Sequence, residues 1–328
     1  MNLGHQLVES GMDQEKGNLC WLIGRRVRSI PGLGSSRGRS LHRLALSPTC
    51  WGITDSRASG HQLDVERVLS EAAAVGEGAI TAGPSGFLPD RSDQAKPLLK
   101  RHRLQLVAGQ VQAILHHHDI RGSELAHIDG HANWLGVLGA DTLVLSAIPQ
   151  RATGAEHGIV LSNAEWAHLL HSIGSVQHVC ARHKLQLAVQ PRFGSTIQGP
   201  EDIERVLVGS EARLCLDVGH LMLAGADPLE VLELAGSRIQ HVHLNDLDGE
   251  LARQVREHGY DFGEAVSENL FRPLGEGVAH VDRIVEALRS ARYRGWYTLE
   301  QETKLASAED RPLGRISRSL EYLLPLLA

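Results

Sequence analysis

The sequence predicts a closed (β/α)8 TIM barrel, and three observations carry that prediction. Eight short apolar runs alternate with eight amphipathic stretches from Leu44 to the end of the chain. The runs are continuously apolar, as in Thr142, Leu143 and Val144, which is the character of strands covered on both faces. The chain has 328 residues, which suits one barrel of about 250 residues with additions. A doubly wound nucleotide-binding sheet would need a G-x-G-x-x-G after its first strand; none is present, and there is no P-loop.

The first unit is LALSPTC (44–50) with a helix over 63–75. GAITAG (78–83) precedes a helix over 93–102, and LQLVAGQ (104–110) one over 122–138. DTLVLSA (141–147) leads to 162–183, where Ser162 with Glu165 three residues on makes a capping-box pattern. LQLAVQ (185–190) is followed by 200–208 and ARLCLD (212–217) by 227–236, with Pro200 and Pro228 marking first turns. IQHVHL (239–244) precedes a long connection from Asn245 to about Ala279, then a helix over 280–291. WYTLE (296–300) and a helix over 313–326 complete the set. Long loops on the C-terminal face of a barrel shape or cover the active site. Leu251, Val255, Phe262 and Val266 have helical spacing there and predict a lid, with Pro273, Gly275 and Gly277 returning the chain to the barrel.

Composition narrows the function classes. Only 4% of residues are aromatic against 42% hydrophobic, so the core must be aliphatic. No apolar run approaches the roughly 20 residues of a membrane span, and residues 1–30 lack the order of a secretory signal; a cytoplasmic protein without membrane association is expected. Cys20, Cys50, Cys180 and Cys215 are far apart and suggest neither a disulfide framework nor a cysteine zinc site. The net charge is −6, but residues 1–43 hold seven Lys/Arg against three acids, so the body is strongly acidic. Nucleic acid is therefore excluded as a partner of the body. Residues 24–43 are Gly/Ser/Arg-rich without an acid, and residues 1–43 read as a disordered basic extension ahead of a barrel over 44–328.

Catalytic residues of such barrels sit at the C-terminal ends of strands. Asp217 ends the sixth strand, His243 lies near the end of the seventh and Glu300 ends the eighth. An Asp, a His and a Glu at three successive strand ends are the ligand types for Mn, Mg, Co or Zn. His220, three residues past Asp217, would lie just above its strand, within reach of a substrate hydroxyl. His241, one pleat below His243, reads as a satisfied interior histidine. His116, His117 and His118 are consecutive, so their side chains diverge and do not suggest a shared ion.

These residues carry a resemblance. SPTCWGITD (47–55), GPSGFLPD (83–90), LCLDVGHLMLAGADP (214–228), HVHLND (241–246), LFRPLGEG (270–277) and GWYTLEQE (295–302) resemble the xylose-isomerase-like TIM-barrel superfamily of sugar isomerases and epimerases, and within it the inosose dehydratases. The resemblance covers about Leu44 to Leu324 and implies a divalent metal (Mn, Co or Mg, with Zn a further candidate) held by Asp217, His243, Glu300 and one ligand from the end of the fifth strand. It implies a small keto-cyclitol or sugar substrate, with Trp51 lining its pocket, and is compatible with a homo-oligomer. The fourth ligand is where the chain departs from the pattern, because Gln190 stands where the superfamily commonly has Glu, and Thr81 where members often have Glu on the second strand. Gln190 can offer a neutral carbonyl oxygen to a metal but cannot take a proton, which disfavours a two-base epimerase. Arg192 is an added cation, placed either to hold a substrate carboxylate or phosphate or to pair with an acid such as Asp217. The expected activity is therefore a hydro-lyase with Glu300 as base and His220 orienting or protonating the substrate. A sugar isomerase or epimerase, or a sugar-binding barrel with a degraded metal site, are the alternatives.

Overall fold

Eight parallel strands close on themselves in the computed structural model of the chain, which describes residues 43–54, 60–76, 78–150 and 159–328. The strands are β1 (Leu44–Leu46), β2 (Ala79–Thr81), β3 (Gln105–Ala113), β4 (Thr142–Ala147), β5 (Gln186–Val189), β6 (Arg213–Asp217), β7 (Ile239–Leu244) and, after a separate two-stranded antiparallel ribbon of β8 (Asp246–Leu247) and β9 (Phe271–Arg272), β10 (Trp296–Leu299). β10 closes the ring between β7 and β1, with Ala45 opposite Thr298. Around the ring run helices α1 (Val65–Val75), α2 (Ser92–His102), α3 (Arg121–Leu138), α4 (Asn163–Arg182), α5 (Pro200–Gly209), α7 (Pro228–Ala235), α10 (Val281–Ser290) and α11 (Leu313–Leu327), with the short α6 (Val218–Leu223) preceding α7. Two more, α8 (Gly249–His258) and α9 (Phe262–Ser267), lie in the connection after β7. The extension expected over residues 1–43 lies, apart from Arg43, outside the described residues.

Local chemistry sets the boundaries. β1 is shorter than its apolar run because Ser47 accepts from the Thr49 amide and Pro48 follows, turning the chain into a 3-10 turn over Pro48–Trp51. The Ser162–Glu165 capping box is present at the start of α4, and Pro200 and Pro228 occupy first turns. α6 was not foreseen; it starts directly on Asp217, whose carboxylate caps it through the His220 amide.

Strand parity gives the barrel interior two levels. Ala45, Ala79, Ala108, Val144, Ala188, Cys215 and Trp296 belong to one buried cluster. Side chains two residues further on point to the same side of a strand. Those positions are Ser47, Thr81, Gln110, Ser146, Gln190, Asp217 and Thr298. The base of the barrel is thus packed with apolar groups, mostly small ones around Trp296, and its C-terminal end with polar ones. The main aliphatic core, including Leu69, Leu135, Ile173 and Leu320, lies between barrel and helices.

The connection after β7 forms its own cluster, with Val255, Ala265, Leu270 and Phe271 buried together against Leu223 and Leu247. It is fastened by Asp246, whose buried carboxylate accepts the amides of Leu247, Gly275, Gly277 and Ala279 at 2.9–3.0 Å. A side chain at Gly277 would collide with that carboxylate. The helical spacing expected in this connection is present, as two short helices and a ribbon.

Candidate metal centre and substrate pocket

β6, β7 and β10 are adjacent, and their register brings three ligand types to one height. Asp217 lies opposite His243, and His243 opposite Thr298, two residues before Glu300. Ligand atoms of Asp217, His243 and Glu300 lie within 4.8 Å of one another, and all three residues are buried. Nδ1 of His243 is 3.1 Å from Asp217 Oδ2 and 2.6 Å from Glu300 Oε2. Glu300 Oε2 nevertheless has no aligned hydrogen-bond donor although it is buried. Converging lone pairs around a buried, unmatched carboxylate oxygen are what a divalent cation would satisfy, and an Asp–His–Glu set suits one. The residues present therefore fit the implied metal. Among the described residues no other group of three such side chains converges, and His116, His117 and His118 do not form one.

The surroundings orient these groups. Asp217 Oδ1 accepts the His220 amide at 3.2 Å and Asn245 Nδ2 at 3.0 Å, leaving Oδ2 facing His243. Burial alone would raise the Asp217 carboxyl, but His220, His243 and the Asn245 amide hold it well below the usual carboxylate range. Burial likewise opposes charge on His243, and it is overcome by Cys215, Glu300 and Asp217, which push the imidazole upward. His241 takes the other course: burial, reinforced by His243, drives it down, and its Nε2 meets Thr298 Oγ1 at 2.9 Å. It is the interior histidine its parity implied, but satisfied at one nitrogen only, since its buried Nδ1 meets no hydrogen-bond partner.

Gln190 departs from expectation. Its Nε2, not its oxygen, faces the cluster, donating to Asp217 Oδ2 at 2.6 Å and lying 3.3 Å from His243 Nδ1. Its Oε1 accepts from Ser146 Oγ at 2.7 Å and from Gln110 Nε2. The Asp217 carboxylate at the nitrogen sets the amide in that sense, so Gln190 here braces Asp217 through its NH2 and turns its oxygen away from the cluster.

A pocket opens above the centre, with an empty volume of about 630 Å³ including its mouth. Its wall includes Thr49, Ile53, Thr81, Gln110, His243 and Glu300, together with Arg192 and Glu302. Two of the three expected substrate contacts, Trp51 and His220, lie off the wall. Trp51 is fully buried, its indole N–H donating to Glu71 of α1 at 2.9 Å, and it is not part of the wall, where Thr49 and Ile53 stand instead. Arg192 does line the pocket, and the acid it pairs with is Glu302, at 3.0 Å. His220 sits behind the wall, its Nε2 3.3 Å from Glu302 Oε1 and its ring near those of Phe262 and Phe271. Glu302 is the site residue that sequence reasoning missed. Burial would raise its carboxyl, and His220 and Arg192 together lower it. Its signal was parity, because in LEQE it falls two residues past Glu300.

Comparison with known proteins agrees with this fold. The chain is 28% identical over 275 residues to an inosose dehydratase of Geobacillus thermodenitrificans, covering 81% of this chain and 91% of that protein. Among solved structures, the probable 3-DHS dehydratase AsbF of Bacillus anthracis superposes with a TM-score of 0.63 at 13% identity, covering 86% of this chain and 98% of that one. The IOLI protein with a bound zinc atom gives 0.63 at 14% identity, covering 87% and 98%. The profile of one family matches residues 69–325, and the chain belongs to that family, the xylose isomerase-like TIM barrels.

Proposed function

We propose that the chain is a metal-dependent hydro-lyase of the inosose-dehydratase type, removing water from a keto-cyclitol or keto-sugar. That it is an enzyme of lyase or isomerase type rests on its relatives. The observation that carries the finer reading is the Asp217–His243–Glu300 triangle, with its unmatched Glu300 oxygen, at the floor of an open pocket. A divalent cation held by these three side chains would polarise a substrate ketone and stabilise the charge that develops on its oxygen. Glu300 takes the proton from the carbon next to the ketone. The same carboxyl returns that proton to the hydroxyl leaving the following carbon, so the net change is loss of one water. Gln190, donating to Asp217, has no place for a second proton, which favours this one-base course over a two-base epimerisation.

The test is incubation of the metal-loaded chain with 2-keto-myo-inositol, following the dione product by its ultraviolet absorbance and by mass. Loss of 18 mass units (one water, about 18 Da by atomic composition) that requires metal and fails in Glu300→Gln supports the reading. An isomer of unchanged mass would make the chain an isomerase, and no turnover with metal bound would make it a binding barrel.

A further inference from the structure

Of the two carboxylates on the pocket wall, Glu300 belongs to the metal triangle and Glu302 does not. Glu302 Oε1 is gripped from two sides, by Arg192 at 3.0 Å and by His220 Nε2 at 3.3 Å. The Glu302 side chain is 15% exposed and that of His220 only 4%. His220 cannot swing away freely, because the rings of Phe262 and Phe271 stand 5.8 and 6.1 Å from its own. Phe262 comes from the connection after β7, so that connection helps to set Glu302. Beyond Arg192 and the His243 imidazole of the metal triangle, the polar groups of the wall include the hydroxyls of Ser47, Thr49 and Thr81 and the amide of Gln110.

Resting on the reading above, we propose that Glu302 is the pocket's acceptor for substrate hydroxyls, and that its pairing with Arg192 reserves the site for an uncharged polyhydroxylated ketone over a phosphorylated or carboxylated one. An oriented carboxylate accepts short, charge-assisted hydrogen bonds from hydroxyls, whereas an anionic substituent beside it is repelled. Arg192, the guanidinium on this wall, is already committed to Glu302. It therefore positions the acceptor and does not serve as an anion receptor.

The experiment is calorimetric titration of myo-inositol and of myo-inositol 1-phosphate into the manganese-loaded full chain. The wild-type chain is expected to bind the uncharged polyol at least about tenfold more tightly than the phosphate, on the scale of one hydrogen bond to a charged group. Glu302→Gln keeps the side-chain shape, weakens the polyol by about tenfold or more and strengthens the phosphate, because it removes the negative charge beside Arg192. The double variant Glu302→Gln with Arg192→Gln removes both charges; it should bind the polyol as weakly as the single variant and lose the gained phosphate affinity. A structural role alone would not invert the preference between two ligands. Unchanged polyol affinity in both variants, equal binding of the two ligands by the wild-type chain, or no binding of the polyol would overturn the inference. Polyol binding of the expected pattern without dehydration of 2-keto-myo-inositol would instead refute the reaction reading and leave this one standing.

Discussion

Replacing Asp246 by Asn changes one atom at the fastening of the connection that carries Phe262 and Phe271. Oδ1 accepts the amides of Leu247 and Ala279, and Oδ2 those of Gly275 and Gly277. An Asn side chain has one oxygen and one NH2, so in either orientation two of the four amides lose their acceptor and face a donor. Asp246 is 1% exposed, and water cannot readily take its place. With a cost of about 1–3 kcal/mol for each buried unsatisfied group, the variant should lose about 2–6 kcal/mol. At roughly 2–4 °C per kcal/mol for a domain of a couple of hundred residues, the melting temperature should fall by at least about 4 °C. Thermal unfolding followed by circular dichroism measures the loss. Hydrogen exchange should localise it, with the amides of Gly275, Gly277 and Ala279 exchanging at least about tenfold faster. A variant that melts within about 1 °C of the parent with those amides still protected would refute the reasoning.

Two further changes test the neighbourhood. Asp248 caps α8 through the Leu251 amide and meets Arg272 at 2.7 Å, which hold its carboxyl below the ordinary value. A depressed folded value stabilises the fold above the unfolded value of about 3.9 and loses that contribution as pH falls through the folded one. Asp248→Asn should therefore destabilise the chain at neutral pH by up to about 1 kcal/mol while flattening the acid limb of melting temperature against pH, and parallel curves would contradict it. Gln190→Glu sets a second carboxylate against Asp217 Oδ2, where the amide now donates at 2.6 Å. The metal-free chain should lose about 1–3 kcal/mol of stability while the increase in melting temperature on adding Mn²⁺ grows, and no change in either quantity would count against the assigned amide orientation.

The metal triangle was legible because a barrel turns strand ends into a location. Once eight runs were recognised, Asp217, His243 and Glu300 had to meet near one axis, whatever the loops did. Parity likewise settled His241. The helices from α1 to α11 that flank the barrel followed from periodicity and caps, while α6, six residues long, and the two-residue strands β8 and β9 are too short to leave a period. Side-chain direction was the harder quantity. Gln190 was placed correctly at the strand end, but which end of its amide faces Asp217 depends on Ser146 and Gln110 from two other strands. Trp51 follows a strand end too, yet the 3-10 turn begun by Pro48 sends its indole to Glu71. Arg192 was correctly seen as a cation near the site, whereas its partner Glu302 lies 110 residues away in sequence, and His220 sits behind the wall against that same carboxylate.

The central claim is that Asp217, His243 and Glu300 together form a divalent-metal site. Calorimetric titration of Mn²⁺ into the chelator-stripped chain, repeated with Asp217→Ala, tests it most directly. One saturable site of micromolar or tighter affinity in the parent, abolished in a variant that still folds, is the predicted result. Saturable binding that survives Asp217→Ala undiminished, or no binding by the parent, would contradict the account.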